Sequence, residues 1–290
     1  MIDTQTLQKL LAATFAHYTK AGRHDLPWRK TGDPYKILVS ELMLQQTQVA
    51  RVVPKYDAFI KAFPTFQTLA KAEFPDVLKL WSGLGYNRRA KYLHQTAKLV
   101  SEKSGRYKTG FPKTAEEIEK LPGIGPYTAR AIMAFAYNSP EVFIETNIRT
   151  VFTHFCFAGS KEKVSDAEIL PLIEKVLRLA QKKEIQPREF YAALMDYGTH
   201  LKQSGVRIND QSKHYTKQSK FIGSARQLRG AILRELLKNP ATLEVLSKDL
   251  TKTLSQANRT SFEIKTELTK LQKEDMVIKK GKTYSIAQNA

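Results

Sequence analysis

Leu121-Pro122-Gly123-Ile124-Gly125-Pro126-Tyr127-Thr128-Ala129 is the stretch that decides how this chain folds. Two glycines, one residue apart, sit in a turn between helical segments. Both can take positive φ, and neither puts a Cβ in the way. Pro126 suits the first position of the next helix. Such a turn opens the backbone, so that N–H groups at the helix start face outward and can hold a phosphate oxygen. Gly123, Gly125 and Thr128 are therefore candidate contacts to a nucleic-acid backbone. A plain tight turn between helices is the competing reading of the same residues.

Composition supports a polyanionic partner. The 290 residues carry 47 Lys and Arg against 28 Asp and Glu, a net charge of +19. That excess opposes compaction by self-repulsion and is usually kept for a partner of opposite sign. Phosphate neutralisation makes nucleic acid the first candidate. Apolar residues are 42% of the chain, enough for a sizeable core. No apolar run is long enough for a membrane span, and the N-terminus lacks the pattern of a secretory signal. Cys156 is the one cysteine, which excludes an intramolecular disulfide framework and a four-cysteine cluster. A reducing cytoplasm is the expected location, with no membrane association.

On either side of this turn, the first 200 residues read as short helices separated by turns. Helical spacing appears in Leu7-Leu10-Leu11-Phe15, in Tyr56-Phe59-Ile60-Phe63 and in Ile169-Leu172-Ile173-Val176-Leu177. Prolines punctuate them, mostly near helix starts. The expected class is mainly α. Residues 205–225 are polar and basic, with Lys213, His214, Lys217 and Lys220 around Tyr215 and Phe221, and read as a linker or docking arm. Beyond them come three expected helices, Arg226–Leu237, Leu243–Leu250 and Ser261–Leu271. Two strands come next, 276–278 and 283–286, joined by a basic hairpin turn. Three helices and a basic hairpin predict a small winged-helix domain over 226–290, bound to DNA or docked on a protein.

Two acids stand in unusual settings. Ser40-Glu41-Leu42-Met43-Leu44-Gln45-Gln46-Thr47-Gln48-Val49 places Glu41 inside an apolar helical segment, with glutamines close behind. Phe143-Ile144-Glu145-Thr146-Asn147-Ile148 places Glu145 just before an expected helix that Asn147 is suited to cap. There the helix dipole favours a negative charge, and complementing the dipole is by itself a sufficient role.

With Leu26-Pro27-Trp28-Arg29, Asp33-Pro34-Tyr35 and Gly83-Leu84-Gly85-Tyr86, these segments occur in an order that resembles the adenine DNA glycosylase (MutY) branch of the helix-hairpin-helix (HhH-GPD) glycosylase superfamily. The resemblance covers roughly residues 20–200. It implies a two-lobed helical fold over 1–204. It further implies a DNA glycosylase that removes adenine mispaired with 8-oxoguanine or guanine. Glu41 would protonate the extruded base, and Glu145 would steady the sugar cation, two carboxyls kept in opposite protonation states. Asn147 and Tyr127 join the catalytic set. Tyr127 stands where endonuclease III carries its Schiff-base lysine, and a phenol forms no imine, so a monofunctional enzyme is expected. Gln46 and Tyr86 would wedge into the gap beside the partner base, and Gln45 and Thr47 are further candidate DNA contacts. Trp28 and Arg29 belong to the base pocket, although Trp28 and Trp81 also read as core. Arg88, Arg89 and Lys91 form a phosphate-contact set, with a solvated charged face as the alternative.

The chain departs from the family in three places. Glu145 stands where the family has Asp. The added methylene moves a carboxylate by roughly 1.5 Å, and misplacement of that order can cost about a hundredfold in rate. Lys202 stands where the first cysteine of an iron–sulfur cluster is expected, so no cluster is expected. A winged helix replaces the family's Nudix-like domain. The expected partner is double-stranded DNA, engaged by a monomer near the nucleoid, with no cofactor beyond a monovalent cation at the Gly123–Gly125 turn. Excision of thymine or uracil, and a lesion-binding scaffold without turnover, are the rival expectations.

Overall fold

The computed structural model describes residues 2–206, 208–216, 220–253 and 260–288. It is largely helical. The helices run α1 (Thr4–Ala21), α2 (Pro34–Leu44), α3 (Val49–Ala62), α4 (Phe66–Ala70), α5 (Phe74–Trp81), α6 (Arg88–Ser101) and α7 (Ala115–Glu119). They continue as α8 (Pro126–Tyr137), α9 (Thr146–Cys156), α10 (Asp166–Gln181), α11 (Pro187–Gln203) and α12 (Ala225–Lys238). After the short strand β1 (Ala241–Thr242) come α13 (Leu243–Thr253), α14 (Ser261–Lys273), β2 (Val277–Lys280) and β3 (Thr283–Ile286).

Two compact units emerge. The first comprises Met1–Leu38, Lys113–Lys120 and Ile124–Lys217; the second comprises Val39–Pro112, Leu121–Gly123 and Gln218–Ala290. This division cuts across the boundaries expected at 204 and 226. The C-terminal helices group with residues 39–112 instead of standing apart.

In the first unit, α1 starts at Asp3, whose side chain accepts from Thr6 N at 2.6 Å. Leu7, Leu10 and Leu11 come at helical spacing and are buried. On α10 the expected stripe Ile169, Leu172, Ile173, Val176 and Leu177 is buried in full. These residues share one core with Ile148, Val151 and Phe152 of α9 and Phe190, Tyr191 and Leu194 of α11. Burying each such side chain contributes about 1.5–3 kcal/mol. Part of the expected linker docks here: Val164 N donates to Gln211 O, and Lys213 N to Val164 O. Lys217 lies outside the described residues.

In the second unit, Tyr56, Phe59, Leu69, Phe74, Val77 and Trp81 are buried, as are Leu93 and Ala97 of α6, with α6 packed on α4 and α5 and α5 on α3. The C-terminal part has its own core of Ile232, Leu236, Leu250, Ile264, Leu268 and Ile286. Its sheet has the order β1-β3-β2, all antiparallel. The sequence pattern does not announce β1, whose two residues come after Pro240 and carry no alternation. Lys280 pairs with Thr283, so the hairpin turns on Gly281-Lys282. Gly281 supplies the positive φ of 59° that such a two-residue turn needs at its first position.

Candidate functional site

Glu145 is the N-cap of α9 itself. Its Oε1 accepts from Asn147 N at 2.7 Å and Ile148 N at 2.9 Å, and its Oε2 accepts from Asn147 Nδ2 at 3.2 Å. This corrects the expectation that Asn147 caps the helix. Asn147 is the second helical residue, because the longer glutamate arm reaches back over the free N–H groups of the first turn. Asn147 Oδ1 in turn accepts from Lys202 Nζ at 2.7 Å. Lys202 stands on the last turn of α11, and burial holds its ammonium below the usual lysine range. Tyr127, on α8, packs edge-on to Phe143 at 5.7 Å between ring centroids, at the margin of the same core.

Asp196 of α11 is buried in this unit. It accepts from both Arg29 Nη1 and Nη2, at 2.6 and 2.8 Å, and from Arg23 N at 2.8 Å. Burial pushes its carboxyl up, yet the Arg29 hydrogen bonds and the arginine charges outweigh that and hold it below the usual range. Arg29, expected in the base pocket, is engaged within the protein. Its guanidinium is committed to Asp196 and to the Ala192 and Arg23 carbonyls, a tie between the segment after α1 and α11. Trp28 is buried beside it in sequence, consistent with core.

Glu41 lies in the second half of α2 and is buried, 8% exposed. The helix ends at Leu44, and the backbone just beyond it is strained. Gln46 has φ +54° and Tyr86, in the facing loop of the same unit, φ +47°. That conformation is costly for non-glycine residues, and such residues collect at ligand clamps. Arg89 holds both loops. Its guanidinium donates to the carbonyls of Leu42, Met43 and Gln45, to Thr47 Oγ1, and to the carbonyls of Leu84 and Gly85. It is buried, and desolvation lowers its pKa to about 10. Arg89 is thus no phosphate contact. It satisfies the free carbonyls at the end of α2, which a planar five-donor group can do at once.

The other two members of the expected phosphate set are also engaged. Arg88 pairs with Glu274, and Lys91 with Asp275 at 3.1 Å. Arg229 of α12 binds the second oxygen of Glu274. The C-terminal part supplies these acids, and nothing in the sequence brings them to α6. Tyr86 is held on two sides: Arg226 donates to its hydroxyl and lies 5.4 Å from its ring centroid, while Arg89 lies 5.5 Å from it. A cavity of about 390 Å³ opens here, lined by Gln46, Thr47, Gln48 and Arg51, by Gly83–Asn87, and by Arg226 and Arg234 of α12. A second, of about 370 Å³, is lined by Gln45, Gln46, Tyr86, Arg88 and Arg229 among others. Arg51 of α3 belongs to no motif in the sequence, and neither do Arg226 and Arg234 of α12. For Arg226 and Arg234 alone, the signal in the sequence is the basic face of α12, opposite its buried Leu228, Ile232 and Leu236.

At the hairpin, Gly123 has φ +71°, and a Cβ there would stand 2.2 Å from the Tyr92 ring. Gly125 is extended, φ −97°, which corrects the expectation of two left-handed glycines. Open space surrounds it, and as N-cap of α8 it offers no side chain to the helix N–H groups. Thr128 is buried on the first turn of α8. Among the described residues no cluster of three His, Cys, Asp or Glu forms a metal site, so a cation at this turn would rest on backbone oxygens. Within these residues the single cysteine cannot hold an iron–sulfur cluster. No helix among the described residues is long and apolar enough to cross a membrane.

Residues 39–175 match the family model described as HhH-GPD superfamily base excision DNA repair protein. The chain is 40% identical over 177 residues to the adenine DNA glycosylase of Mycolicibacterium smegmatis, covering 61% of this chain and 58% of that one. It is 38% identical over 181 residues to that of Buchnera aphidicola, covering 62% and 49%. The chain thus spans about half the length of the curated relatives it matches. Among solved structures, a thermostable thymine-DNA glycosylase aligns with a TM-score of 0.58 at 27% identity, covering 67% of this chain and 86% of that one. A trapped endonuclease III–DNA covalent intermediate aligns with a TM-score of 0.53 at 17% identity, covering 79% and 95%, which speaks for the fold alone.

Proposed function

Since residues 39–175 match the HhH-GPD superfamily model, we propose that this chain is a DNA N-glycosylase of base excision repair. In this reading it hydrolyses the glycosidic bond of adenine mispaired with 8-oxoguanine or guanine. The observation that carries the reading is Glu41, a carboxyl buried on α2 within that domain, just ahead of the strained, exposed Gln46. A buried carboxyl suits an acid that must bring its own proton to a leaving base.

The mechanism divides the work between two carboxyls. Glu41 donates to the adenine ring, which then leaves with the bond electrons. Glu145, set at the α9 N-terminus, steadies the oxocarbenium cation. Water adds to that carbon and completes hydrolysis. Gln46 and Tyr86 fill the space left by the extruded nucleotide. Tyr127 offers no amine for an imine, so strand cleavage is not part of the activity. The N-terminus of α8, with Gly125 as its cap, grips a phosphate. Residues 226–290 act as a winged helix, a reading supported by the order α12-β1-α13-α14-β2-β3. The protein works as a monomer on double-stranded DNA.

A second reading, excision of thymine or uracil, is favoured by Glu145 in place of aspartate and by the likeness to the thymine-DNA glycosylase. Single-turnover assays on A:8-oxoG, A:G, T:G and U:G duplexes separate the two. Release of adenine supports the first reading. Release of thymine or uracil alone supports the second, and binding without release excludes both.

A further inference from the structure

Lys202, Asn147 and Glu145 form a line of hydrogen bonds within the first unit. The ammonium of a lysine only donates, and an ionised carboxylate only accepts. The amide between them has one oxygen and one NH₂ group. One orientation alone satisfies both neighbours: Oδ1 toward Lys202 at 2.7 Å and Nδ2 toward Glu145 at 3.2 Å. We infer that Lys202 is a positioning residue for the reaction, fixing the Asn147 amide and through it the Glu145 carboxylate. The inference rests on the reading of Glu145 as the group that steadies the sugar cation.

Three features make the line consequential. Glu145 Oε1 is occupied by two backbone N–H groups, so Oε2 is the oxygen with lone pairs left to face a cation. Oε2 takes its bond from Asn147 Nδ2, whose direction the lysine sets. Remove the lysine, and the amide loses the donor that anchors its Oδ1, leaving it held by the longer Nδ2 bond to Glu145 at 3.2 Å. Second, the glutamate arm is long, with more rotamers to lose than an aspartate, so it gains more from being pinned. Third, Asn147 cannot retreat as a unit, because its backbone is packed against Gly198, one helical turn before Lys202 on α11. The lysine also places a positive charge near the carboxylate at a helix C-terminus, where cations are favoured.

The test compares wild type with Lys202→Met and Lys202→Arg. Three quantities are read: single-turnover base release from an A:8-oxoG duplex, affinity for a duplex carrying uncleavable 2′-fluoro-adenosine, and melting by circular dichroism. Lys202→Met is expected to slow base release by roughly 10- to 100-fold while affinity changes by less than about threefold. Lys202→Arg, which keeps the donor, restores most of the rate. Unchanged base release in a folded Lys202→Met protein overturns the inference. So does a loss of affinity as large as the loss of rate, which marks a phosphate contact. If wild type itself releases no base, the glycosylase reading fails, and amide NMR judges the inference alone. Faster solvent exchange of the Asn147 side-chain NH₂ in Lys202→Met supports it; equal exchange overturns it.

Discussion

A methyl group on Gly198 would stand 2.3 Å from the carbonyl oxygen of Asn147. No real side chain fits there, so α11 and α9 approach as closely as they do because residue 198 has none. Gly198→Ala must push α9 outward and with it the Glu145 cap. The expected loss is about 1–3 kcal/mol of stability, read as a lower midpoint in urea, together with slower base release. A variant as stable and as active as wild type would show that the two helices separate at no cost.

Asp196 ties Arg23 and Arg29 inside the first unit, and its carboxyl sits below the usual range because those arginines outweigh the desolvation that burial imposes. A depressed acid contributes stability that is fully present above the unfolded value near 3.9 and is lost as pH falls through the folded value. Asp196→Asn leaves two guanidiniums facing a neutral amide, and breaking such a buried set costs about 3–5 kcal/mol. Urea titrations at pH 7 and in acid should show that loss at pH 7. They should also show a smaller acid-induced decline in the variant than in wild type.

His94 presents the opposite titration. It is wholly buried, stacked 5.9 Å from Phe74, and among the described residues its ring nitrogens find no hydrogen-bond partner of good geometry. Desolvation, aided by the Lys98 charge, lowers its pKa to about 4. The unfolded chain therefore takes up a proton that the folded one refuses between about pH 6.5 and 4. Stability is full above that window and falls through it by up to roughly 3 kcal/mol. His94→Leu should flatten the decline between pH 6.5 and 4.5; an unchanged slope would assign it to other groups.

Salt dependence distinguishes the arginines. A contact to phosphate contributes a slope of about one in log affinity against log salt, and removing it lowers that slope by as much. Arg51→Ala and Arg234→Ala, at the cavity beside Gln46, should each lower it. Arg89→Met should leave the slope unaltered and instead destabilise the protein, since the carbonyls at the end of α2 lose their donor. A lowered slope in a stable Arg89→Met protein would restore Arg89 to the DNA surface.

Much of the architecture is legible in the sequence. The α10 stripe, the α1 face and the hairpin helices follow from spacing alone, because a core-facing residue every three or four positions has one structural solution. Glu41 and Glu145 are visible as acids in unusual company. Long-range pairing is not visible there. Arg88 and Arg89 look alike and adjacent, yet one meets Glu274 and the other is buried under the α2 carbonyls. Arg29 likewise gives no hint of Asp196, 167 positions away. The left-handed backbone at Gln46 and Tyr86 is also illegible, since neither residue type favours it.

The decisive measurement is single-turnover base release by Glu41→Gln beside wild type, on an A:8-oxoG duplex, with affinity measured in parallel. The amide keeps the shape of the side chain and removes its acidic proton. The expected result is adenine release by wild type, none detectable from the variant, and nearly equal binding. Adenine release by Glu41→Gln at the wild-type rate would contradict the assignment of that carboxyl as the acid.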